Sequence, residues 1–492
     1  MENLTVKLTN IKQNFGAKEV LSIKELSAYE NDRIGIIGEN GQGKSTLLQI
    51  IYGDLTPEGT VQKEIEFNYF PQIAEIDELF HIDTLDWELV SQFGIPKNNV
   101  QTFSGGEKSK FRLAQILSTY QMGLLLDEPT THLDQRSVKK LVEELRYYYG
   151  TLLFVSHDRY FLNQLADKIW EVQDGKVAEY EGNYDAYKQQ KELEEMEKRR
   201  ETENYLQEKR HLEAAIAKKK AQAEKANKVS NKKKQQSIRP DRLSSSKQKD
   251  TVQKSIQKSA KSMESRLSKL QEVTPNKQKT EIIFPTPQSV EIHNKYPIRG
   301  ENLTLMAGNK MILNQVDFHF GLGKKIAIIG DNGGGKTTLL DSIVTNKEGI
   351  VLSPKVVFSI YRQMDYKLFG EETILSFLMK HTEYPESLVR SILNHLNFAQ
   401  FELNKPLSAL SGGEATRLSI ALVFTRSSNV LILDEPTNFI DLSTIEALEK
   451  LMTNYKGTVL FTSHDPYFVK EVADEIYMIK NGKLHVASKE SI

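Results

Sequence analysis

Four segments of this chain occur twice, in the same order and at similar spacing. IGIIGENGQGKSTLL (34–48) returns as IAIIGDNGGGKTTLL (326–340), and FSGGEKSKFRLAQIL (103–117) returns as LSGGEATRLSIALVF (410–424). LLLDEPTTHLD (124–134) returns as LILDEPTNFID (431–441), and TLLFVSHDRYF (151–161) as TVLFTSHDPYF (458–468). Internal repetition decides architecture before any local reading does. With 492 residues the chain exceeds what one hydrophobic core organises. Two copies of one α/β domain are expected, over 1–183 and 298–492, with about a hundred residues between them.

Each repeated segment carries chemistry. Gly38-x4-Gly43-Lys44-Ser45 and Gly330-x4-Gly335-Lys336-Thr337 each follow an apolar strand and open into a helical pattern. That context makes a phosphate-binding loop, whose glycines turn backbone N–H groups toward phosphate oxygens. Lys44 and Lys336 are expected to bridge the outer phosphates of ATP, and Ser45 and Thr337 to hold Mg²⁺. Asn40, Gly41, Thr46, Asn332, Gly333 and Thr338 complete the two loops. LLLDEP and LILDEP release paired acids at the end of a buried strand, where open α/β sheets place their chemistry. Asp127 and Asp434 suit Mg²⁺, and Glu128 and Glu435 suit polarisation of the attacking water. His157 and His464 follow the next apolar strand and suit a γ-phosphate contact.

Bulk properties narrow the class. The chain has no cysteine, which removes disulfides, thiolate metal sites and iron–sulfur clusters together. MENLTVKLTN has no basic segment followed by an apolar one, and no apolar run approaches the ~18–20 residues that cross a bilayer. A soluble, cytoplasmic protein is expected. The net charge of −1 conceals a basic middle: Lys209–Lys279 holds 21 Lys and Arg against 6 Asp and Glu. One specialised element facing a polyanion fits that asymmetry.

SGGE at 104–107 and 411–414, with the phosphate loops, Asp-Glu strands and histidines in order, resembles the ATP-binding-cassette family. The resemblance implies a monomer with an internal head-to-tail sandwich of two P-loop NTPase cassettes and two ATP at the interface. Ser411, Gly412 and Gly413 would cap the ATP held by Lys44. Ser104, Gly105 and Gly106 would cap the one held by Lys336. Gln72 and Gln363 match the family's metal-proximal glutamines, and Phe15 stands where an aromatic stacks on adenine. The second copy has Met306 and Ala307 around that place. Fused cassettes and a charged insert are similar to the ABC-F group, soluble twin cassettes that act on ribosomes. YEGNYDAYKQQKE (180–192) and SIRPDRLSSSKQKDTVQKSIQKSAKSMESRL (237–267) resemble the linker of its antibiotic-resistance branch, of the Msr type.

Between the cassettes, 184–280 reads as a basic helical hairpin and 281–297 as a connector. From Tyr184 to Gln236 there is neither Gly nor Pro, and Glu, Lys, Gln and Ala dominate. Tyr205, Leu212, Ile216 and Ala223 make one apolar stripe, and Ile256, Ala260, Met263, Leu267 and Leu270 a second. A first helix of ~45–50 residues would carry the tip, about 237–246, ~65–75 Å from its root. Arg239, Pro240, Asp241, Arg242, Leu243 and Ser244 shape that tip. The resemblance implies a bacterial ribosome as partner, with large-subunit rRNA and P-site tRNA along the rod. The tip would approach the peptidyl-transferase centre and displace macrolide, lincosamide or streptogramin drugs. Two other readings stay open at this stage: a housekeeping ABC-F translation factor, and the motor of a drug exporter.

Overall fold

A computed structural model of the chain describes residues 3–16, 18–72, 85–95, 103, 105–131, 133–235, 292–308, 310–331, 333–362, 370–438 and 440–491, together with 255, 258–259, 261–268, 270, 282 and 284. The first cassette runs β1 (Leu4–Phe15), β2 (Lys18–Tyr29), β3 (Arg33–Ile37), α1 (Lys44–Tyr52), β4 (Glu58–Lys63), β5 (Phe67–Phe70), α2 (Trp87–Gln92) and α3 (Gly105–Ser118). It continues through β6 (Gly123–Asp127), α4 (Gln135–Arg146), β7 (Thr151–Val155), α5 (Arg159–Leu165), β8 (Lys168–Gln173) and β9 (Lys176–Glu181), and α6 (Tyr184–Gln235) follows. The second cassette runs β10 (Ile298–Ala307), β11 (Lys310–Phe320), β12 (Lys325–Ile329), α7 (Lys336–Val344), β13 (Ile350–Leu352), β14 (Phe358–Tyr361), α8 (Ile374–Lys380), α9 (Glu386–His395) and α10 (Gly412–Thr425). It ends with β15 (Val430–Leu433), α11 (Leu442–Asn454), β16 (Thr458–Thr462), α12 (Pro466–Val472), β17 (Glu475–Lys480) and β18 (Lys483–Ala487).

The two copies have one topology. The large sheets are ordered β5-β6-β7-β3-β8-β9 and β14-β15-β16-β12-β17-β18, parallel except for the last strand of each. Their central strands are continuous apolar runs such as TLLFV, as strands buried on both faces must be. Small antiparallel sheets, β2-β1-β4 and β11-β10-β13, complete each cassette. Val6, Leu8, Ile11, Leu21 and Ile23 pack with Leu47, Ile50 and Ile51 of α1, fixing the phosphate loop between two sheets. Aspartates cap the next helices: Asp134, Asp158, Asp441 and Asp465 accept main-chain N–H bonds from the first turns of α4, α5, α11 and α12. Each such cap is worth ~1 kcal/mol. A second apolar cluster runs without a break through both cassettes and contains Phe161 and Leu165 of α5 with Phe468 and Val472 of α12. Phe284 is fully buried against Phe424 and Tyr455.

Residues Lys188–Gln278 form a compact unit of their own. α6 is one helix of 52 residues, ~78 Å at 1.5 Å per residue. Along it Tyr205 and Leu212 are half-buried and Ile216 is buried, while Met263, Leu267 and Leu270 are half-buried beyond the tip. Lys220 pairs with Glu264, and Glu208 with Arg266, both at 2.9 Å. The tip residues Arg239, Pro240, Asp241, Arg242, Leu243 and Ser244 lie outside the described residues, as do Ile256 and Ala260. Among the described residues no helix is long and apolar enough to cross a membrane.

Candidate nucleotide sites at the cassette interface

Each phosphate loop turns on a glycine that no other residue replaces. Gly43 (φ 100°) and Gly335 (φ 96°) precede α1 and α7 in the left-handed region. A Cβ there would also lie 2.8 Å from Val20 and 2.0 Å from Ile312. Lys44 then folds back, its Nζ donating to the carbonyls of Gly38 (2.8 Å) and Glu39 (3.0 Å). Lys336 Nζ donates to the Gly330 carbonyl (2.9 Å) and stands 3.2 Å from His464 Nε2. Burial lowers the pKa of both lysines, against the pull of the carboxylates around them. A buried ammonium held mainly by carbonyls suits a polyanionic ligand.

The acids are held under strain. Glu128 (φ 51°) and Glu435 (φ 48°) adopt the left-handed conformation that costs non-glycine residues ~1–3 kcal/mol. The neighbouring strand secures each one: Glu128 N–H donates to the Val155 carbonyl (3.0 Å), and Glu435 N–H to Thr462 Oγ1 (2.8 Å). Burial pushes both carboxyls up to about 7, with the adjacent aspartate adding to the shift and the loop lysine opposing it. Burial also raises Asp127, although the hydroxyls of Ser45 and Tyr69 donate to it. Asp434 accepts from Thr337 Oγ1 (2.7 Å) and Thr462 Oγ1 (2.6 Å). His157 Nε2 lies 3.3 Å from Glu128 Oε1, and His464 Nε2 lies 3.2 Å from Glu435 Oε1. Burial, then the nearby lysine, lowers the histidines to about 3 and about 4, so both rings are neutral at pH 7.

These groups fit Mg²⁺ with a nucleotide. Asp127 Oδ1 is buried without a protein hydrogen-bond partner, and the buried carboxyl oxygens of Glu128 and Glu435 are approached chiefly by the histidines. Buried oxygens of this kind are costly unless something meets them. Among the described residues no three His, Asp or Glu cluster as a protein-only metal cage. One hydroxyl and one carboxylate per site, with phosphate and water supplying the rest, is the usual habit of Mg²⁺.

The two cassettes meet over these loops. A cleft of about 2040 Å³ is lined by Gly41, Gly43, Lys44, Ser45, Thr46 and Gln72 from one copy and by Gly333, Gly335, Lys336, Thr337 and Thr338 from the other. Phe15, Ala307, Ser411, Gly412 and Gly413 line it too. Ser411 caps α10 in a reciprocal box with Glu414, which Lys405 clamps at 2.8 Å. A Cβ on Gly413 would lie 3.5 Å from Asn40 Nδ2, so the second SGGE faces the first phosphate loop. Ser104, Asn332 and Gln363 lie outside the described residues, and Gly105 and Gly106 open α3.

Sequence reasoning quoted Asp134 and Asp441 in a repeat but gave them no role. Asp441 reaches across the interface and accepts the Asn40 N–H at 3.2 Å, and the neighbouring Ser443 Oγ donates to Glu39 Oε1 at 3.4 Å. Burial raises Asp441, but the bonds from Thr444 and Asn40 outweigh it and hold the carboxyl low. Tyr69, whose hydroxyl meets Asp127, was also missed. The recurrence of Asp in both EPT segments was the available signal. Tyr69 carried none, because a strand tyrosine is ordinary core.

The site's geometry agrees with comparisons to known proteins. A family model described as ABC transporter matches residues 21–131 and 313–438, and an extension under the same description matches 170–250. The erythromycin resistance ATP-binding protein MsrA of Staphylococcus epidermidis is 45% identical over 487 residues, 99% of each chain. The ribosome protection protein VmlR of Bacillus subtilis is 34% identical over 97% of this chain and 87% of its own. A solved RNase-L inhibitor superposes with a TM-score of 0.66 at 18% identity, covering 96% of this chain and 89% of that one, a likeness of fold. The chain therefore belongs to the ATP-binding-cassette proteins and, within them, to the ABC-F family on the branch of the Msr-type resistance proteins.

Proposed function

We propose that this protein is an ATPase that binds the bacterial ribosome and protects it from antibiotics. The observation that carries the reading is the full-length likeness to an erythromycin resistance protein, 45% over 99% of both chains, linker included. A long basic helix between two cassettes supports it, since Lys and Arg along a rod bind nucleic acid backbone without reading sequence.

Lys44 and Lys336 bind the outer phosphates of the two ATP, and Ser411, Gly412 and Gly413 close over the first. Ser104, Gly105 and Gly106 do the same for the second. Ser45 with Asp127, and Thr337 with Asp434, would hold Mg²⁺, with Gln72 and Gln363 as further candidate ligands, and the ion would supply charge neutralisation at the phosphates. Phe15 stacks on the first adenine. Glu128 and Glu435 polarise the attacking water, and His157 and His464 contact the γ-phosphate. ATP in both sites favours the closed sandwich, and the closed sandwich binds the ribosome. The linker then enters from the tRNA exit site, beside P-site tRNA and large-subunit rRNA. Its tip, around Arg239–Ser244, displaces a macrolide, lincosamide or streptogramin near the peptidyl-transferase centre. Hydrolysis opens the sandwich and releases the protein.

The test is co-sedimentation with ribosomes. Glu128→Gln combined with Glu435→Gln should hold the protein on 70S particles in ATP. Dissociation of that variant at the wild-type rate would overturn the cycle.

A further inference from the structure

The two cassettes depart from their own duplication at one buried contact. α5 and α12 are counterparts and pack together across the interface, each behind a capping aspartate, Asp158 or Asp465. The next residue is Arg159 in the first copy and Pro466 in the second. Arg159 is 4% exposed and reaches into the other cassette, where its Nη1 lies 2.5 Å from Glu449 Oε1 on α11. In the other copy Val142 stands at the position of Glu449, and Lys139 at that of Glu446. The ion pair therefore has no counterpart across the pseudo-twofold.

The linker begins on the side that has the pair. The Tyr184 hydroxyl, in the first turn of α6, donates to Glu446 Oε1 at 3.3 Å. Asn163 on α5 holds both cassettes: its Nδ2 donates to the Tyr467 hydroxyl (2.9 Å), and its Oδ1 accepts the Asp185 N–H (2.9 Å). Groups on α11 and α12 of the second cassette thus reach the linker's root directly and through α5. Arg159 stands two residues beyond His157 and is the first residue of α5, directly after the turn from β7. Its Nε and Nη2 are buried without a protein hydrogen-bond partner. A buried cation so incompletely matched is a poor source of stability, whereas ion pairs of this kind can specify register.

We propose that Arg159, Glu449, Glu446, Asn163, Tyr467 and Tyr184 form a one-sided joint through which the relative placement of the two cassettes sets the first turn of the linker. Arg159 is a positioning residue in this scheme. It transmits cassette placement and touches no reacting atom. The joint rests on the reading of the linker as the effector, but its test contains neither ribosome nor drug, so the two fail separately.

The test is hydrogen exchange of the amides of 184–187 in the full chain carrying Glu128→Gln and Glu435→Gln, with and without Mg-ATP. Nucleotide should slow these amides about tenfold or more. Adding Arg159→Met with Glu449→Met, an apolar swap of the pair, should abolish that dependence while ATP affinity and exchange in β3 and β7 stay unchanged. Tyr184→Phe removes one hydroxyl, threatens the fold least, and should shrink the dependence about threefold. Undiminished protection by ATP in Tyr184→Phe, or in a folded double-Met variant, overturns the joint. So does an absence of nucleotide dependence in the parent.

Discussion

The two nucleotide sites share their parts and differ, among the described residues, in how the interface aspartate of each is held. At the first, Asp441 crosses the interface to the Asn40 N–H, and His157 Nε2 lies 3.3 Å from Asn40 Oδ1. At the second, Asp134, the counterpart of Asp441, pairs with Lys110 of its own cassette at 3.0 Å, and His464 sits beside Lys336. A further difference lies one helix away. Position 110 is a lysine free to swing toward Asp134, whereas its counterpart Arg417 is occupied. Arg417 Nη1 donates to the carbonyls of Leu396 (3.3 Å) and Asn397 (3.1 Å), and its guanidinium lies 4.9 Å from the centre of the Phe398 ring. A planar, multidentate cation locks in place where a point charge stays available. Duplication supplies equal catalytic parts, and side chains that diverged within the repeated segments, as Lys110 did from Arg417, make their surroundings unequal.

Six substitutions would break or sharpen this comparison. Lys44→Ala and Lys336→Ala should each remove ATP from one site only, weakening it there by about a hundredfold, since a charge-assisted phosphate contact is lost. Equilibrium dialysis would then count one nucleotide per chain, and loss of both from either variant breaks the independence of the sites. Asp441→Ala should weaken ATP-dependent closure about tenfold by leaving the Asn40 amide unmet, and Asp134→Ala by about twofold or less. Fluorescence transfer between labelled cassettes would read both. Phe15→Ala should raise the first-site Kd for ATP about five- to tenfold and leave the second unchanged, as titrated by calorimetry. Lys110→Met should cost under ~1 kcal/mol, because that pair is partly solvated, a shift in Tm of a few degrees at most.

What could be read in the sequence follows a physical rule. Phosphate loops, strand-end acids and following histidines declare themselves because their chemistry demands given residue types at short, fixed spacing, and the fold brings them to one cleft. The linker declared its helix because 52 residues without Gly or Pro have little else to become. Contacts across the interface stayed hidden. Arg159 and Glu449 are 290 residues apart, and no local period links them. The differences between SHDR and SHDP, and of Val142 and Lys139 from Glu449 and Glu446, were the visible traces of that asymmetry. The left-handed glutamates were equally silent, since backbone strain at Glu128 and Glu435 is imposed by the neighbouring strand and not by local sequence.

The central claim is protection of the ribosome itself, and cell-free bacterial translation tests it most directly. Purified protein and ATP would be added to extracts inhibited by a macrolide, a lincosamide or a streptogramin, with the Glu128→Gln, Glu435→Gln variant as control. Recovery of synthesis with at least one drug by the wild-type protein is the predicted result, and the drugs rescued define its spectrum. No recovery with any of them would contradict the account. Sedimentation with ribosomes in ATP would then favour a housekeeping translation factor, and failure to sediment would refute the basic rod as a ribosome probe.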